Sequence, residues 1–266
     1  MLKTTKRPVA FVLVATNHGT MMVNRNDHHT DAFATFGVGH EIFHTSGCGQ
    51  EEIDVALQLL DARKEYFGAG VVALDCGANI GVHTIEWAKH MHGWGTVTAF
   101  EAQEKIYYAL AGNIAMNNCF NARAVWTAIG ASDGTIRVPV PDYLKPSSFG
   151  SLEIRKTEKT EFIGQDVDYS AAKTVETTMR AIDSFALPRL DFIKIDIEGM
   201  EMEALSGARN TIAAHKPMML IEGIKTDLGA LTTYLNEMGY RYFTFGINVI
   251  AIHTSDPYSA RVITKK

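Results

Sequence analysis

The sequence predicts a doubly wound, mostly parallel α/β fold, and three observations carry that prediction. The apolar run Val71 to Leu74 suits a strand buried on both faces; it ends at Asp75, Gly77 and Gly81 and restarts as a helix. Strand-like and helix-like stretches then alternate to about residue 253, as βαβ units require. With 266 residues, 46% of them hydrophobic, the chain is long enough for one large core or two small ones.

Taken in order, residues 8 to 24 read as two strands, VAFVLVA and TMMV, joined by Asn17-His18-Gly19 as a hairpin turn. The start, MLKTTKRPVAFVLVATN, resembles a secretory leader because basic residues precede Val9 to Ala15. That run is at the short limit for a leader and continues into hairpin-like sequence, so we read it as a strand. Residues 25 to 50, rich in His and Gly, read as loops. From Gln50, Ile53, Ala56, Leu57, Leu60 and Tyr66 fall near helical spacing until Gly68 stops them.

After the glycine turn, Val82 to His90 reads as a helix, Thr96 to Phe100 as a strand ending at Glu101, and Glu104 to Met116 as a helix. Ala124 to Ile129 and Ile136 to Val140 read as further strands about the turn Asp133-Gly134. Residues 141 to 173 break the rhythm with few apolar residues, as a substrate-covering or poorly ordered insertion does. Strands are expected at Val175 to Met179, Asp191 to Ile197 and Met218 to Glu222. A helix with an apolar face at Met200, Ala204, Leu205, Ala208 and Ile212 falls between the last two. A helix over 227 to 238 and an antiparallel pair about Gly246 close the chain. The simplest division is an N-terminal extension, 1–49, carrying the hairpin, and one α/β domain, 50–266.

The net charge of -5, with no run of Lys and Arg, gives no electrostatic support to nucleic-acid or membrane-surface binding. No stretch is long enough to span a bilayer. A small-molecule substrate fits better. Cys48, Cys76 and Cys119 are scattered and odd in number, which suits a reducing cytoplasm rather than a disulfide framework.

A strand that ends at glycines and restarts as a helix brings backbone close to a ligand at the carboxyl edge of a parallel sheet. The plain alternative is a tight turn and nothing more. A dinucleotide fingerprint wants glycine where this chain has Asn79, and Asp75 is a poor neighbour for two phosphates. S-adenosylmethionine, with its sulfonium and ammonium groups, fits better than NAD. Glu101, about twenty residues beyond the turn, is placed to accept hydrogen bonds from ribose hydroxyls, which either cofactor has.

The segment DFIKIDIEG alternates Lys194, Asp196 and Glu198 with isoleucines. A charged row on a central strand costs desolvation unless it faces a pocket or pairs internally; a Lys194 to Asp196 pair and a site role for Asp196 are both open. Glu222 is expected beside Asp196 at the same sheet edge, where two carboxylates can hold a divalent metal or one can act as general base. His40-Glu41-Ile42-Phe43-His44 matches the zinc-protease pattern H-E-x-x-H, but the flanking glycines leave barely two helical turns and no third ligand is evident. His28 and His29 read as solvated loop residues.

Several of these stretches together resemble the FkbM family of S-adenosylmethionine-dependent methyltransferases. They are Asp75-Cys-Gly-Ala-Asn-Ile-Gly, AFEAQ, LAGNIAMNN, SSFGSLEI and above all FIKIDIEGMEMEALSGA, in the family's order over about residues 50 to 253. Cys76 stands where valine is commoner and Ala102 where proline is frequent. The resemblance implies a class I methyltransferase (Rossmann-like) sheet, order 3-2-1-4-5-7-6 with strand 7 antiparallel, over 50–266. It places Asp75, Gly77, Asn79 and Gly81 around the methionine part of the cofactor, Glu101 at the ribose, and Thr127 and Ala128 near adenine, with Ala102 also among the cofactor-binding residues. It also implies O-methylation of a sugar, polyketide or related metabolite, for which the Asp196 and Glu222 carboxylates read above are the candidate catalytic residues. An NAD-dependent oxidoreductase, a metalloprotease and a non-catalytic cofactor-binding module are the alternatives.

Overall fold

The structure, a computed structural model, describes residues 8–261; the basic stretch Lys3 to Arg7 lies outside the described residues. A hairpin of β1 (Phe11–Thr16) and β2 (Gly19–Asn24) comes first, followed by the two-residue strands β3 (His29–Thr30) and β4 (Thr35–Phe36). Next come α1 (Val38–Thr45) and α2 (Gln50–Phe67). The central units are β5 (Val71–Cys76), α3 (Val82–His90), β6 (Gly95–Glu101), α4 (Glu104–Met116) and β7 (Ala122–Trp126). A small side sheet of β8 (Ala128–Ile129), β9 (Gly134–Pro139) and β10 (Thr174–Arg180) follows. The chain then adds β11 (Phe192–Ile195), α5 (Glu201–Gly207), α6 (Arg209–His215), β12 (Met218–Glu222), α7 (Leu228–Glu237), β13 (Tyr240–Phe245) and β14 (Asn248–His253).

The seven-stranded sheet runs β7-β6-β5-β11-β12-β14-β13, with β14 antiparallel to both neighbours and the other pairs parallel. Numbered from β5, that is the expected order 3-2-1-4-5-7-6. Strand alternation divides the core between the two faces. Val71 and Ala73 pack with Ile85, Trp87 and Ile106 under α2, α3 and α4, whereas Leu74, Cys76, Ile193 and Ile195 pack with Leu205, Ile212 and Leu235 of α5 to α7. Among the described residues no helix is long and apolar enough to cross a membrane.

Three expectations need correction. Residues 38–45 form a helix, not a loop: Gly37 turns the chain in at φ 126, and Ile42 is buried against the core. The stretch Ala124 to Ile129 is two strands in two sheets, parted at Thr127, whose hydroxyl donates to Thr178 O and draws the chain away. The helix after β11 breaks at Ala208 into α5 and α6. The insertion 141–173 has no strand or α-helix; it folds as a cover, anchored where Ser147 bridges Asp27 and donates its amide to Asn26 O.

The hairpin is clamped to the sheet layer by one fully buried side chain. Asn113 on α4 accepts from Met22 N and donates to Met22 O and Ile80 O. Asn113→Ala leaves those groups unpaired, and we expect a loss of about 1–3 kcal/mol by urea denaturation, with faster amide exchange at Met22; a change within error would contradict the clamp.

Candidate functional site: a carboxylate-lined cavity at the sheet edge

A cavity of about 350 Å³ opens at the carboxyl ends of β5, β6 and β11, within the roughly 300–1,000 Å³ usual for small-molecule sites. Its floor is the turn Gly77 to Ile80. Gly77 has φ 83, and a Cβ there would meet the Asp196 carbonyl oxygen at 1.7 Å, so only glycine lets these two strand ends approach. Asn79 takes the left-handed conformation at φ 50. Its amide donates to Glu101 Oε2 at 3.0 Å, and Gln103 N donates to Glu101 Oε1 at 2.7 Å. Burial pushes the Glu101 carboxyl up to about 7 against those two donors, and the residue lines the cavity.

Of the residues expected at the cofactor, Gly77, Asn79, Glu101, Ala102, Thr127 and Ala128 line this wall, as do Asp196 and Glu222. Asp75 and Gly81 stand behind it. Asp75 points along the sheet face, accepts from Thr84 Oγ1 at 2.6 Å and has Lys194 as its register partner on β11; its Oδ1 is buried without a partner and burial raises its carboxyl. Gly81 starts α3 against Leu110.

The opposite half is built on the turn after β11. Glu201, buried, accepts from Ile197 N and Gly199 N and so fixes a turn in which Glu198 has φ 57. The charged row resolves into ion pairs: Lys194 Nζ lies 2.5 Å from Asp196 Oδ2, and Lys225 Nζ 2.5 Å from Glu198 Oε2. Burial works against the Lys194 charge, yet Asp196 and Asp75 hold the ammonium above its ordinary value. Glu222 has no such cation. Burial, then Asp196 and Glu198, push its carboxyl up to about 9, and its Oε2 has no partner. Oxygens of Asp196, Glu198 and Glu222 lie within 4.8 Å of one another, the one such three-donor group among the described residues.

Sequence reasoning missed the rest of the wall. Glu52 on α2 and His83 on α3 face the cavity, 3.6 Å apart, and burial holds the His83 imidazole well below its ordinary value. Glu41 and Cys48 reach it from the N-terminal segment, and Ser148 to Leu152 cover it. Only the polar, apolar-poor character of residues 141 to 173 marks that cover in the sequence; Ser148 to Leu152 meet Glu41 and Cys48 across about a hundred positions of chain. His40 and His44 share α1 with rings 4.0 Å apart, but they face a separate surface hollow with Arg25 and His28.

The family model described as the methyltransferase FkbM domain matches residues 75–242. The chain is similar to methyltransferase sdnD of Sordaria araneosa, 25% identical over 153 residues, covering 50% of this chain and 59% of that protein. It is similar to methyltransferase 1 of Beauveria bassiana, 24% identical over 146 residues, covering 50% and 57%. The matches thus span somewhat over half the length of these curated relatives. Among solved structures, methyltransferase FkbM from Methylobacillus flagellatus aligns at 23% identity and a TM-score of 0.47, covering 71% of this chain and 47% of that one.

Proposed function

We propose that this chain, which belongs to the FkbM methyltransferase family, moves a methyl group from S-adenosylmethionine to a hydroxyl of a small acceptor such as a sugar, polyketide or related metabolite. The observation that carries the reading is the junction of two unlike halves in one cavity: a side-chain-free cradle at Gly77 beside Glu101, and a carboxylate cluster at Asp196 and Glu222. The bound sulfonium supplies an already electrophilic methyl carbon, so that one O–C bond forms as one S–C bond breaks and neutral S-adenosylhomocysteine leaves.

The residues of the chain bind, orient and move a proton. Glu101 takes the ribose hydroxyls on its free lone pairs, with Ala102 alongside, and Thr127 and Ala128 wall the adenine. Glu222 accepts the proton of the acceptor hydroxyl, and Asp196, held by Lys194, orients that hydroxyl. Orientation is the larger contribution, since well-aligned groups gain up to about 7–11 kcal/mol.

A second reading, a divalent ion at Asp196, Glu198 and Glu222, is supported by the proximity of their oxygens and by the unpartnered Glu222 Oε2. We favour the proton role because Lys194 and Lys225 already neutralise two of the three carboxylates. Three free thiols support a reducing, cytoplasmic setting.

Glu101→Ala should weaken S-adenosylhomocysteine binding at least tenfold by calorimetric titration, about 1.4 kcal/mol or more. Transfer of a labelled methyl group to small molecules tests turnover; binding without any transfer would leave a cofactor-binding module.

A further inference from the structure

We infer that residues Phe36 to Glu52 are the acceptor-selecting wall of the cavity, and that they select a molecule carrying amine or hydroxyl groups and no phosphate or carboxylate. The inference rests on the methyl-transfer reading and names the acceptor class for that site.

The wall lies before residue 75, outside the part of the chain that matches the family, yet it supplies one side of the cavity through Phe36, Glu41, Cys48 and Glu52. It is fastened there. Asp27, buried, accepts from Gly39 N and from Phe149 N, both at 3.0 Å, and so ties α1 to the cover loop. His18 Nε2 accepts from Cys48 N at 3.0 Å.

The charge facing the cavity is one-sided. Its lining holds six acidic side chains, Glu41, Glu52, Glu101, Asp196, Glu198 and Glu222, against the single ammonium of Lys194. Burial holds Glu101 and Glu222 toward the protonated form, and Asp196 and Glu198 are paired with lysines, so the unpaired negative charge is that of Glu41 and Glu52. Asp196 already holds that ammonium, and His83 is kept neutral by burial. Lys225 reaches Glu198 from behind. Glu222 is only 6% exposed and lines the cavity with an oxygen that has no protein partner, so a hydroxyl or ammonium of a ligand would find a partner there. An anionic acceptor would lose its hydration shell beside fixed negative charge, whereas an ammonium or hydroxyl would gain partners. Glu41 and Glu52 are not members of the Asp196, Glu198 and Glu222 group, so this selection does not depend on whether a proton or a divalent ion is held at Glu222.

The test uses one hexose ring with three charges. The full chain is saturated with S-adenosylhomocysteine and titrated at pH 7 with glucosamine, glucose and glucose 6-phosphate. Glucosamine should bind at least tenfold more tightly than glucose 6-phosphate. Glu41→Arg, an exposed helix position, should narrow that gap at least tenfold while affinity for S-adenosylhomocysteine stays the same. Glucosamine that fails to bind, a phosphate sugar that binds as tightly, or an unchanged gap in Glu41→Arg overturns the inference. Failure of S-adenosylhomocysteine itself to bind removes the cofactor reading instead.

Discussion

Glu222→Gln should lower methyl transfer by about 10²–10⁴-fold while affinity for S-adenosylhomocysteine stays within about twofold, because the substitution keeps shape and removes the proton acceptor. The pH profile separates this from a packing defect. Burial and the neighbouring Asp196 push the Glu222 carboxyl up to about 9, so the wild-type kcat/KM should rise with pH across neutrality towards that value. The Gln variant should lack the rise. Stability must move the other way. A carboxyl raised on folding favours the protonated form, so its contribution is full below the ordinary value of 4.5 and is lost as pH rises through about 9. The variant, neutral at every pH, should therefore melt above the wild type at pH 9.5 and near it at pH 4. A variant with a normal rate, or with the same alkaline limb as wild type, would remove Glu222 from the reaction.

Gly77→Ala is the second large effect, and it concerns the cradle. A Cβ at that position meets the Asp196 carbonyl oxygen at 1.7 Å, and the φ of 83 is itself unfavourable to a side chain. The atom in the way is backbone, so relief requires β5 and β11 to part. We expect a loss of about 3–5 kcal/mol in urea denaturation, with no measurable cofactor binding in the fraction that folds. Gly93→Ala is the control: it has φ 79 and nothing within 4 Å of the added methyl, so it should show only the backbone cost of about 1–3 kcal/mol. Equal losses at the two positions would mean that the approach of strand ends at Gly77 is not under constraint.

Much of the fold was legible because its signals are local. Apolar runs, helical spacing and glycine stops placed α3, α4 and β12 at their observed boundaries. The strand order followed from the family resemblance rather than from spacing. What failed had a competing cause. Thr127 splits its strand through a hydrogen bond to Thr178, a residue 51 positions away, and α1 forms in a His- and Gly-rich stretch because Ile42 finds a buried seat.

The site divides in the same way. Gly77, Asn79 and Glu101 are visible because each marks a strand end, and strand ends of a parallel sheet converge on one edge. Asp75, which the family resemblance places at the methionine part of the cofactor, accepts from Thr84 and lies outside the cavity lining. Glu41, Cys48 and Glu52 come to the cavity only through tertiary packing, and nothing in their local sequence marks them. The sequence leaves open an internal Lys194 pair and a site role for Asp196; the structure pairs Asp196 with Lys194 and also has it line the cavity.

Calorimetric titration of the full chain with S-adenosylhomocysteine and, separately, with NAD bears most directly on the central claim that the bend after β5 and the acid ending β6 hold an adenosyl sulfonium. Saturable binding of S-adenosylhomocysteine, weakened in Glu101→Ala, with no heat from NAD is the expected result. Binding of NAD in its place, or of neither compound, would contradict it.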